Sequence, residues 1–419
     1  MRIFKLTIST IIVSIVMGII SAMFLRSLEF VTTLREGFHY LIFLIPIIGV
    51  LTAYTYSKYG NGSNRGNNLI IESVHKDVKV PFRMAILTFI FTVLTHLSGG
   101  SAGREGTAVQ IGGALTNKVA NIFKMEHKEK RILIMSGISA AFGSVFWTPL
   151  AGTFFGMEVC FIGKISYEAM IYCFISSYAA NFVTESLGIN HTVHLIKSVP
   201  SITIYTLLIV IISSILFGVF GRMFAKGIHL VKGFYNKNIK NNIYRAIVSS
   251  IAVLLVIVIF RLYKFEGLST WLIDSGFSGE VTILDPIKKL ILTILTLGAG
   301  FQGGEVTPLF DIGASLGGAI GNLTNIEPSL LAAIGMICVF GSATNTPLTT
   351  IMLGINLFGG EAVPYYIIGA FISYYVIGHN GIYGAQIINT PKLKRFEEHE
   401  GISLENTKKW YLSAFIKKL

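Results

Sequence analysis

The stretch Gly99-Gly-Ser-Ala-Gly-Arg-Glu-Gly-Thr107 puts an arginine and a glutamate into a glycine-rich loop between two apolar segments. These segments, residues 85–97 and 108–123, have the composition of membrane-embedded helices. Irregular backbone at membrane depth persists only where protein buries it or where it lines a water-filled cavity. An ionisable residue at that depth is a functional-site hypothesis by default. Glu105 is therefore the first candidate for a functional side chain.

The composition of the whole chain indicates a polytopic membrane protein. Of its 419 residues, 52% are hydrophobic and only 13% are charged, whereas a soluble domain carries about 25% charged residues. The first apolar run, residues 6–24, is not followed by a convincing cleavage site, so we expect a retained helix rather than a signal peptide. We predict no separate soluble regulatory domain, because the tail at 392–419 is short and basic.

The excess of positive charge is explained by membrane topology. The formal net charge is +12, and basic residues concentrate in 124–131, 226–245 and 392–418. Cytoplasmic loops of membrane proteins are enriched in Lys and Arg, so we expect these segments on the cytoplasmic side of the cell membrane. The charge requires no nucleic acid as a partner, and a positive field favours anions near the mouths of a pathway.

The cysteines and histidines give no sign of a metal site or another cofactor. The three cysteines, Cys160, Cys173 and Cys338, lie in apolar surroundings without metal-ligand spacing, and the nine histidines form no HExxH motif. We interpret the thiols as buried side chains without a chemical role.

Several of the apolar runs are shorter than the roughly 20 residues that a perpendicular span needs. Short, tilted and broken helices are typical of transporters with a site near the middle of the bilayer. The polar stretch at 58–70 is rich in glycine and asparagine, so it is either an aqueous loop or a re-entrant loop that reaches into a cavity. Residues 191–201 are predicted to be a polar connector.

Two blocks of the sequence recur at nearly the same spacing, which indicates an internal repeat. In the first block the offset is 200 residues, and the matched pairs include Gly103 with Gly303, Glu105 with Glu305, and Thr107 with Thr307. In the second block the offset is 198 residues, and Thr148-Pro-Leu150 matches Thr346-Pro-Leu348. We infer two homologous halves, residues 1–200 and 201–419. If each half has an odd number of spans, the halves are inverted and the two glycine loops meet near the membrane centre.

Both glycine loops end where a helix is expected to begin, which suits them to bind an anion. A helix N-terminus carries free N–H groups and the positive end of the helix dipole. The carboxylate of Glu105 is itself an anion, so it can occupy such a site when ionised and leave when protonated. The alternative is a structural carboxylate that pairs with Arg104.

At these residues the chain resembles the CLC family of chloride channels and proton-coupled anion antiporters. Gly103-Arg-Glu-Gly-Thr107 is similar to the gate motif GREGP, and Gly303-Gly-Glu-Val-Thr-Pro308 is similar to GGxFxP. Arg65-Gly-Asn-Asn-Leu-Ile70 stands where the family has GSGIP, and Tyr383 matches its anion-coordinating tyrosine. The resemblance implies an all-α inverted repeat with short, broken helices, assembled as a homodimer.

The departures from the family motifs resemble the bacterial branch that transports fluoride. Thr107 replaces the proline of the gate motif, Asn67 replaces the serine of GSGIP, and Val306-Thr307 replaces Phe-Ala. Val159 stands where chloride/proton antiporters keep an internal glutamate, next to Glu158, which matches another family glutamate. The resemblance therefore implies a fluoride/proton antiporter that exports fluoride across the bacterial cytoplasmic membrane.

The resemblance and the loop chemistry imply a set of site residues, with Glu105 as the protonatable gate. The implied anion-binding residues are Asn67, Asn68, Gly106, Thr107, Val306, Thr307 and Tyr383. The implied supporting residues are Gly103, Arg104, Gly303, Gly304 and Glu158. Amide and hydroxyl donors suit fluoride, which is a strong hydrogen-bond acceptor. The asparagines are alternatively ordinary turn residues, and the Thr307 hydroxyl alternatively caps its own helix.

Two other functions fit parts of the sequence. A chloride channel or chloride/proton antiporter shares most of the motifs. An intramembrane serine protease is a remote alternative, in which Ser278 of Gly276-Phe-Ser-Gly279 would be the nucleophile and His379 the base. Such serine motifs arise readily in a chain with 43 glycines, so we predict a transporter of fluoride, or of chloride, and protons rather than an enzyme.

Overall fold

The apolar runs form helices, because a chain inside a bilayer must satisfy its backbone hydrogen bonds within each segment. The computed structural model describes residues 2–190 and 192–407. The α-helices of the first half are α1 (Arg2–Gly37), α2 (Ile45–Tyr59), α3 (Asn67–His75), α4 (Arg83–Leu97), α5 (Glu105–Ile122), α6 (His127–Phe146), α7 (Pro149–Glu158) and α8 (Met170–Ser186). Those of the second half are α9 (Ile204–Asn238), α10 (Asn242–Phe260), α11 (Trp271–Ser278), α12 (Asp285–Gly298), α13 (Val306–Thr324), α14 (Pro328–Thr344), α15 (Pro347–Phe358) and α16 (Val363–Ile377). Two short strands, β1 (Phe161–Ile162) and β2 (Ile387–Ile388), pair in parallel.

The prediction of an all-α polytopic membrane protein is confirmed. Among the described residues, four helical segments are long and apolar enough to cross a membrane, namely Ile3–Gly37, His39–Tyr59, Ile204–Asn238 and Asn242–Phe260. Several apolar helices are shorter, among them α4 and α14 to α16. The first helix extends well beyond the predicted run at 6–24, because polar residues after Phe24 continue it to Gly37. Residues 408–419 of the predicted basic tail and His191 of the predicted connector lie outside the described residues.

The polar stretch at 58–70 contains a helix start that the sequence analysis did not predict. A short 3-10 turn at Ser63–Arg65 leads into α3, which begins at Asn67. Gly66 has a φ of +57°, a conformation that favours glycine and that lets the chain turn sharply into the helix. Asn67 therefore lies in the first turn of a helix rather than in a loop.

The two glycine loops have the same conformation, but one residue out of the predicted register. Gly99 and Gly300 have φ values of +87° and +97°, and α5 and α13 begin at Glu105 and Val306. These matches require an offset of 201 residues, because 300 − 99 and 306 − 105 both equal 201. The structural counterpart of Glu105 is therefore Val306, and Glu305 corresponds to Arg104.

Close helix pairs support the helices that start at these loops. A Cβ atom on Gly112 of α5 would lie 2.5 Å from the carbonyl oxygen of Gly137 in α6. In the other half, a Cβ atom on Gly313 of α13 would lie 2.1 Å from the carbonyl oxygen of Gly335 in α14. Such backbone-to-backbone contact between membrane helices depends on small residues. The helices α5 and α13 are thus each fixed against a buried neighbouring helix.

Candidate ion pathway

The two glycine loops meet each other through backbone hydrogen bonds. We call residues 99–104 the first gate loop and residues 300–305 the second gate loop. Gly103 and Gly304 exchange two N–H to carbonyl hydrogen bonds, each of 2.7 Å. A Cβ atom on Gly304 would lie 2.7 Å from the nitrogen of Gly106, and one on Gly303 would lie 2.4 Å from the Cβ of Ala102. Glycine at these positions is what allows the loops, and hence α5 and α13, to converge.

Glu105 is the first residue of α5, and its completely buried carboxylate packs against the first turn of α13. Thr307 donates its backbone N–H to Oε2 at 3.1 Å, and its hydroxyl lies 2.6 and 2.8 Å from the two carboxylate oxygens. Arg104 donates from its backbone N–H and from Nε, each at 3.1 Å. The side chain thus occupies an anion position at a helix N-terminus. The pairing with Arg104 that the sequence left as an alternative is also present.

Two cavities approach this carboxylate. Arg104 and Thr307 line one cavity of about 610 Å³, which we call the outer cavity. Asn67, Glu305 and Tyr383 line another of about 280 Å³, the inner cavity. Glu105 lines neither of these two cavities, but Thr307, which is hydrogen-bonded to it, lines the outer cavity. It therefore lies where a gate between the cavities would lie.

Basic side chains also line the inner cavity. Lys232 and Arg245 line its mouth, and both belong to the segment at 226–245 that the positive-inside rule assigns to the cytoplasm. The positive-inside rule therefore predicts that the inner cavity opens toward the cytoplasm. Low-dielectric walls with one sign of charge raise the local concentration of the opposite ion, so this mouth attracts anions.

Buried polar groups of Asn67, Glu305 and Tyr383 line the inner cavity. The amide nitrogen of Asn67 lies 3.4 Å from Oε2 of Glu305. The hydroxyl of Tyr383 and the amide oxygen of Asn67 are buried and have no hydrogen-bond partner among the described residues. A Cβ atom on Gly106 would lie 2.5 Å from Oε2 of Glu305 and 2.9 Å from Nδ2 of Asn67. The first turn of α5 therefore approaches these polar groups through a glycine.

Glu305 is a cavity residue that the sequence analysis did not assign to the site. It appeared there only as the repeat partner of Glu105, in a register that the structure shifts by one residue. The usable signal was the acid itself, because an ionisable residue in a membrane-embedded glycine loop marks a functional site regardless of any repeat.

Two residues of the implied anion site make hydrogen bonds to other parts of the protein, although Asn68 also lines the inner cavity. The hydroxyl of Thr107 lies 2.7 Å from the hydroxyl of Thr92 and thus joins α5 to α4. The amide oxygen of Asn68 accepts a hydrogen bond of 2.9 Å from the backbone N–H of Ala385 and so holds the loop that carries Tyr383. Val306 is buried as the first residue of α13.

Glu158 has the geometry of a structural cap. Its two carboxylate oxygens accept hydrogen bonds from the backbone N–H of Leu348 at 3.0 Å and of Thr349 at 2.8 Å. The Thr349 hydroxyl donates a further bond of 2.7 Å. Glu158 therefore fixes the N-terminus of α15.

The residues of the protease alternative do not form a catalytic pair. The hydroxyl of Ser278 donates to the carbonyl of Ser275 at 3.2 Å. His379 has Nδ1 2.8 Å from Nδ1 of His399 and accepts at Nε2 from the backbone N–H of Lys392. A nucleophile and its base must lie within hydrogen-bond reach, and the partners of these two side chains are different.

Comparison with known proteins agrees with this architecture. A family model described as voltage gated chloride channel matches residues 47–378. A relative named chloride/fluoride channel protein, from Pseudomonas syringae pv. tomato, is 38% identical over 92% of this chain and 86% of its own length. The H⁺/Cl⁻ exchange transporter ClcA of Vibrio cholerae is 27% identical over 72% of this chain and 69% of its own length.

Solved structures give the same result. A crystal structure of a CLC-type fluoride/proton antiporter aligns with a TM-score of 0.89 and 34% identity, over 92% of this chain and 98% of that one. A slow cyanobacterial Cl⁻/H⁺ antiporter aligns with a TM-score of 0.75 and 18% identity, over 89% and 94%, which concerns the fold alone. The relatives named here are channels and transporters, so the prediction of a transporter rather than an enzyme is confirmed.

Proposed function

The chain belongs to the voltage gated chloride channel family, and we propose that it is a fluoride/proton antiporter that exports fluoride across the bacterial cytoplasmic membrane. The observation that carries the proposal is the Glu105 carboxylate, bound to the N-terminus of α13 by Thr307 between two cavities. The likeness to a CLC-type fluoride/proton antiporter and to a chloride/fluoride channel protein supports the choice of ion.

In the proposed cycle, Glu105 and fluoride compete for the same donors. The ionised carboxylate holds the backbone N–H and hydroxyl of Thr307 and closes the pathway. When a proton binds, the carboxyl group loses its charge and releases the helix N-terminus, which favours anions. A fluoride ion then takes the vacated donors, and it leaves when the deprotonated carboxylate returns. One proton therefore has to bind for each opening, which couples the two fluxes.

Selectivity for fluoride follows from the number of strong donors that replace its hydration. Fluoride is small and strongly hydrated, so a site for it has to offer close hydrogen bonds rather than an apolar cage. Thr307 supplies two donors at the gate, and Asn67 and Tyr383 supply an amide and a hydroxyl in the inner cavity. A transport site must also release its ion. Neutral donors allow this release because they carry no full positive charge.

Glu305 and the basic mouth complete the inner half of the proposed pathway. Glu305 lies next to the first turn of α5 and faces the inner cavity. We assign it the transfer of protons between Glu105 and the cytoplasm, since a carboxyl group binds and releases protons readily. Lys232 and Arg245 concentrate fluoride at the cytoplasmic mouth.

The proposal includes the organisation of the chain. Residues 1–200 and 201–419 form two homologous, inverted halves, and two copies of the chain form a homodimer in the lipid bilayer. The matching conformations of the two gate loops support the halves. The homodimer rests on the family resemblance.

Ion flux from liposomes that contain the purified protein tests the function. We expect fluoride efflux down its gradient to drive proton uptake, and fluoride efflux to exceed chloride efflux under equal gradients. Empty liposomes give the background. Chloride efflux equal to or faster than fluoride efflux would reject the fluoride assignment.

A fluoride channel is the second candidate, because the relative from Pseudomonas syringae is named a channel protein. The same experiment separates the two. A channel moves fluoride without proton uptake, and an imposed fluoride gradient cannot then drive protons against their own gradient.

A further inference from the structure

Five ionisable side chains that the proposed cycle does not use form a buried cluster beside the gate loops. They are Arg35, His96, Glu266, Lys289 and Asp311, and each is at most 8% exposed. We call this cluster the bracket. Buried charges in a membrane protein are costly unless they are paired and hydrogen-bonded. A cluster of this size at this place therefore calls for a role.

Lys289 sits in a cage of oxygen atoms at one end of the bracket. Its ammonium lies 2.9, 3.3 and 3.4 Å from the carbonyl oxygens of Gly267, Leu268 and Phe265. It also lies 3.4 Å from Oδ2 of Asp311 in α13. An ammonium group has three N–H donors and no acceptor, so this cage uses all of them. Lys289 thereby ties the segment at 265–268 to α13.

The same segment is tied to the first gate loop at the other end of the bracket. Glu266 pairs with Arg35 at 3.7 Å, and Arg35 donates to the carbonyl of His96 at 3.0 Å. His96 in turn has Nε2 3.1 Å from the carbonyl oxygen of Ala102. Gly99, with a φ of +87°, lies so close that a Cβ atom there would be 2.7 Å from the Glu266 carboxylate. The bracket thus contacts the loop at both Gly99 and Ala102.

The two ends of the bracket flank the gate contact. Asp311 lies four residues after Thr307 on α13, and residues at that spacing share one face of a helix. Ala102 lies three residues before Glu105. The bracket and the hydrogen bonds between Thr307 and Glu105 therefore connect the same two parts of the protein.

We propose that the bracket is a positioning device that holds Thr307 and Glu105 at the separation that closes the pathway, and that Lys289 is its main positioning residue. Without the Lys289 ammonium, Asp311 loses its cation and the segment at 265–268 loses its hydrogen bonds to that ammonium, so the attachment to α13 is weakened and the neighbouring Ser269 hydroxyl remains as a donor to Asp311. Thr307 then holds Glu105 less closely, and the gate opens without binding a proton. The proposal rests on the proposed function, because it assigns the bracket to proton coupling at Glu105.

The test is the number of protons moved per fluoride ion, measured in liposomes for Lys289→Met. This ratio does not depend on how much protein is folded, so a purely structural defect leaves it unchanged. We expect the ratio to fall by about threefold or more while fluoride efflux persists, well within the ~100-fold effect that a 1 Å misplacement can have. Lys288→Met is the matched control, because Lys288 is a neighbour with a 41% exposed side chain that pairs with Asp285. An unchanged ratio in Lys289→Met overturns the proposal.

Two further measurements keep the proposal testable. If Lys289→Met does not fold, Asp311→Asn is the second variant, because asparagine keeps the side-chain volume and removes the charge. We expect the same fall in the number of protons moved per fluoride ion. An unchanged ratio again overturns the proposal. If the unmodified protein moves fluoride without protons, the antiport proposal fails separately. In that case, the fluoride-to-chloride flux ratio of the bracket variants tests the bracket. We expect this ratio to fall if Thr307 is displaced, and an unchanged ratio overturns the proposal.

Discussion

Glu105 and Glu158 are both buried glutamates whose carboxylates accept hydrogen bonds from the first turn of a helix in the other half of the chain. Each accepts a backbone N–H and a hydroxyl from a threonine, Thr307 for Glu105 and Thr349 for Glu158. In both places the carboxylate takes the position that a helix N-terminus offers to an anion. The local chemistry of the two sites is therefore nearly the same.

Access distinguishes the two glutamates. Thr307 lines the outer cavity, and the inner cavity reaches Glu305 next to the first turn of α5. The Glu158 carboxylate, by comparison, is held by two backbone N–H groups and one hydroxyl, and its donors Leu348 and Thr349 line neither the inner nor the outer cavity. An ion can replace a carboxylate only where it can arrive and leave. We therefore propose that Glu105 differs from Glu158 in function because of its surroundings rather than because of its hydrogen bonds.

The largest expected effect is that of Glu105→Gln. Glutamine keeps the shape of the side chain but does not ionise, so we expect proton uptake during fluoride efflux to fall to the background of empty liposomes. Measuring both fluxes in the same liposomes tests this. Proton pumping that persists in the variant contradicts the gate role of Glu105.

Thr307→Val removes the hydroxyl donor that Glu105 and fluoride are proposed to share. A hydrogen bond to a charged acceptor contributes about 1.5–3 kcal/mol, so we expect the fluoride-to-chloride flux ratio to fall about tenfold or more. The matched control is Thr349→Val, which removes the equivalent donor to Glu158 and is expected to keep the flux ratio. A similar loss of selectivity in both variants would mean that the hydroxyl acts on stability alone.

Glu158→Gln is expected to change stability and not coupling. The substitution weakens charge-assisted bonds to the first turn of α15, at a cost of about 2 kcal/mol in the free energy of unfolding. Thermal unfolding in detergent measures the first effect, and the proton-to-fluoride ratio measures the second. A variant of unchanged stability that moves fluoride without protons would show that Glu158 belongs to the proton path.

Tyr383→Phe should have the smallest effect, a fall in fluoride turnover of about threefold with coupling intact, since a neutral hydrogen bond contributes about 0.5–1.5 kcal/mol. Tyr366→Phe is the control. Its hydroxyl is also buried without a partner among the described residues, yet Tyr366 lines neither the inner nor the outer cavity. Equal turnover in the two variants would remove Tyr383 from the proposed fluoride site.

The sequence predicted the fold class and singled out Glu105 because both leave local signals. Runs of apolar residues predict membrane helices from hydropathy alone, and an acid in a glycine loop at membrane depth stands out without any partner being known. The resemblance to the family was equally local, because it rested on short motifs around Glu105, Thr307 and Tyr383.

The register of the repeat was less predictable. Glycine occurs so often in both loops that an offset of 200 residues aligns Glu105 with Glu305, whereas the backbone conformations require 201. The same error hid the cavity position of Glu305. Side-chain direction was also beyond the sequence, because nothing near Thr107 shows that its hydroxyl meets Thr92 rather than the pathway.

By itself, therefore, the sequence determined that this protein lies in a membrane, that several of its helices are short, and that Glu105 stands at a glycine-rich loop between two of them. Those properties depend on composition and on the order of neighbouring residues. Only the tertiary structure decided which helix each carboxylate binds, whether its donors line a cavity, and how the bracket joins the first gate loop to α13. These contacts link residues about 200 positions apart, such as Glu105 with Thr307 and Glu158 with Thr349, and their distances arise only when the two halves pack together.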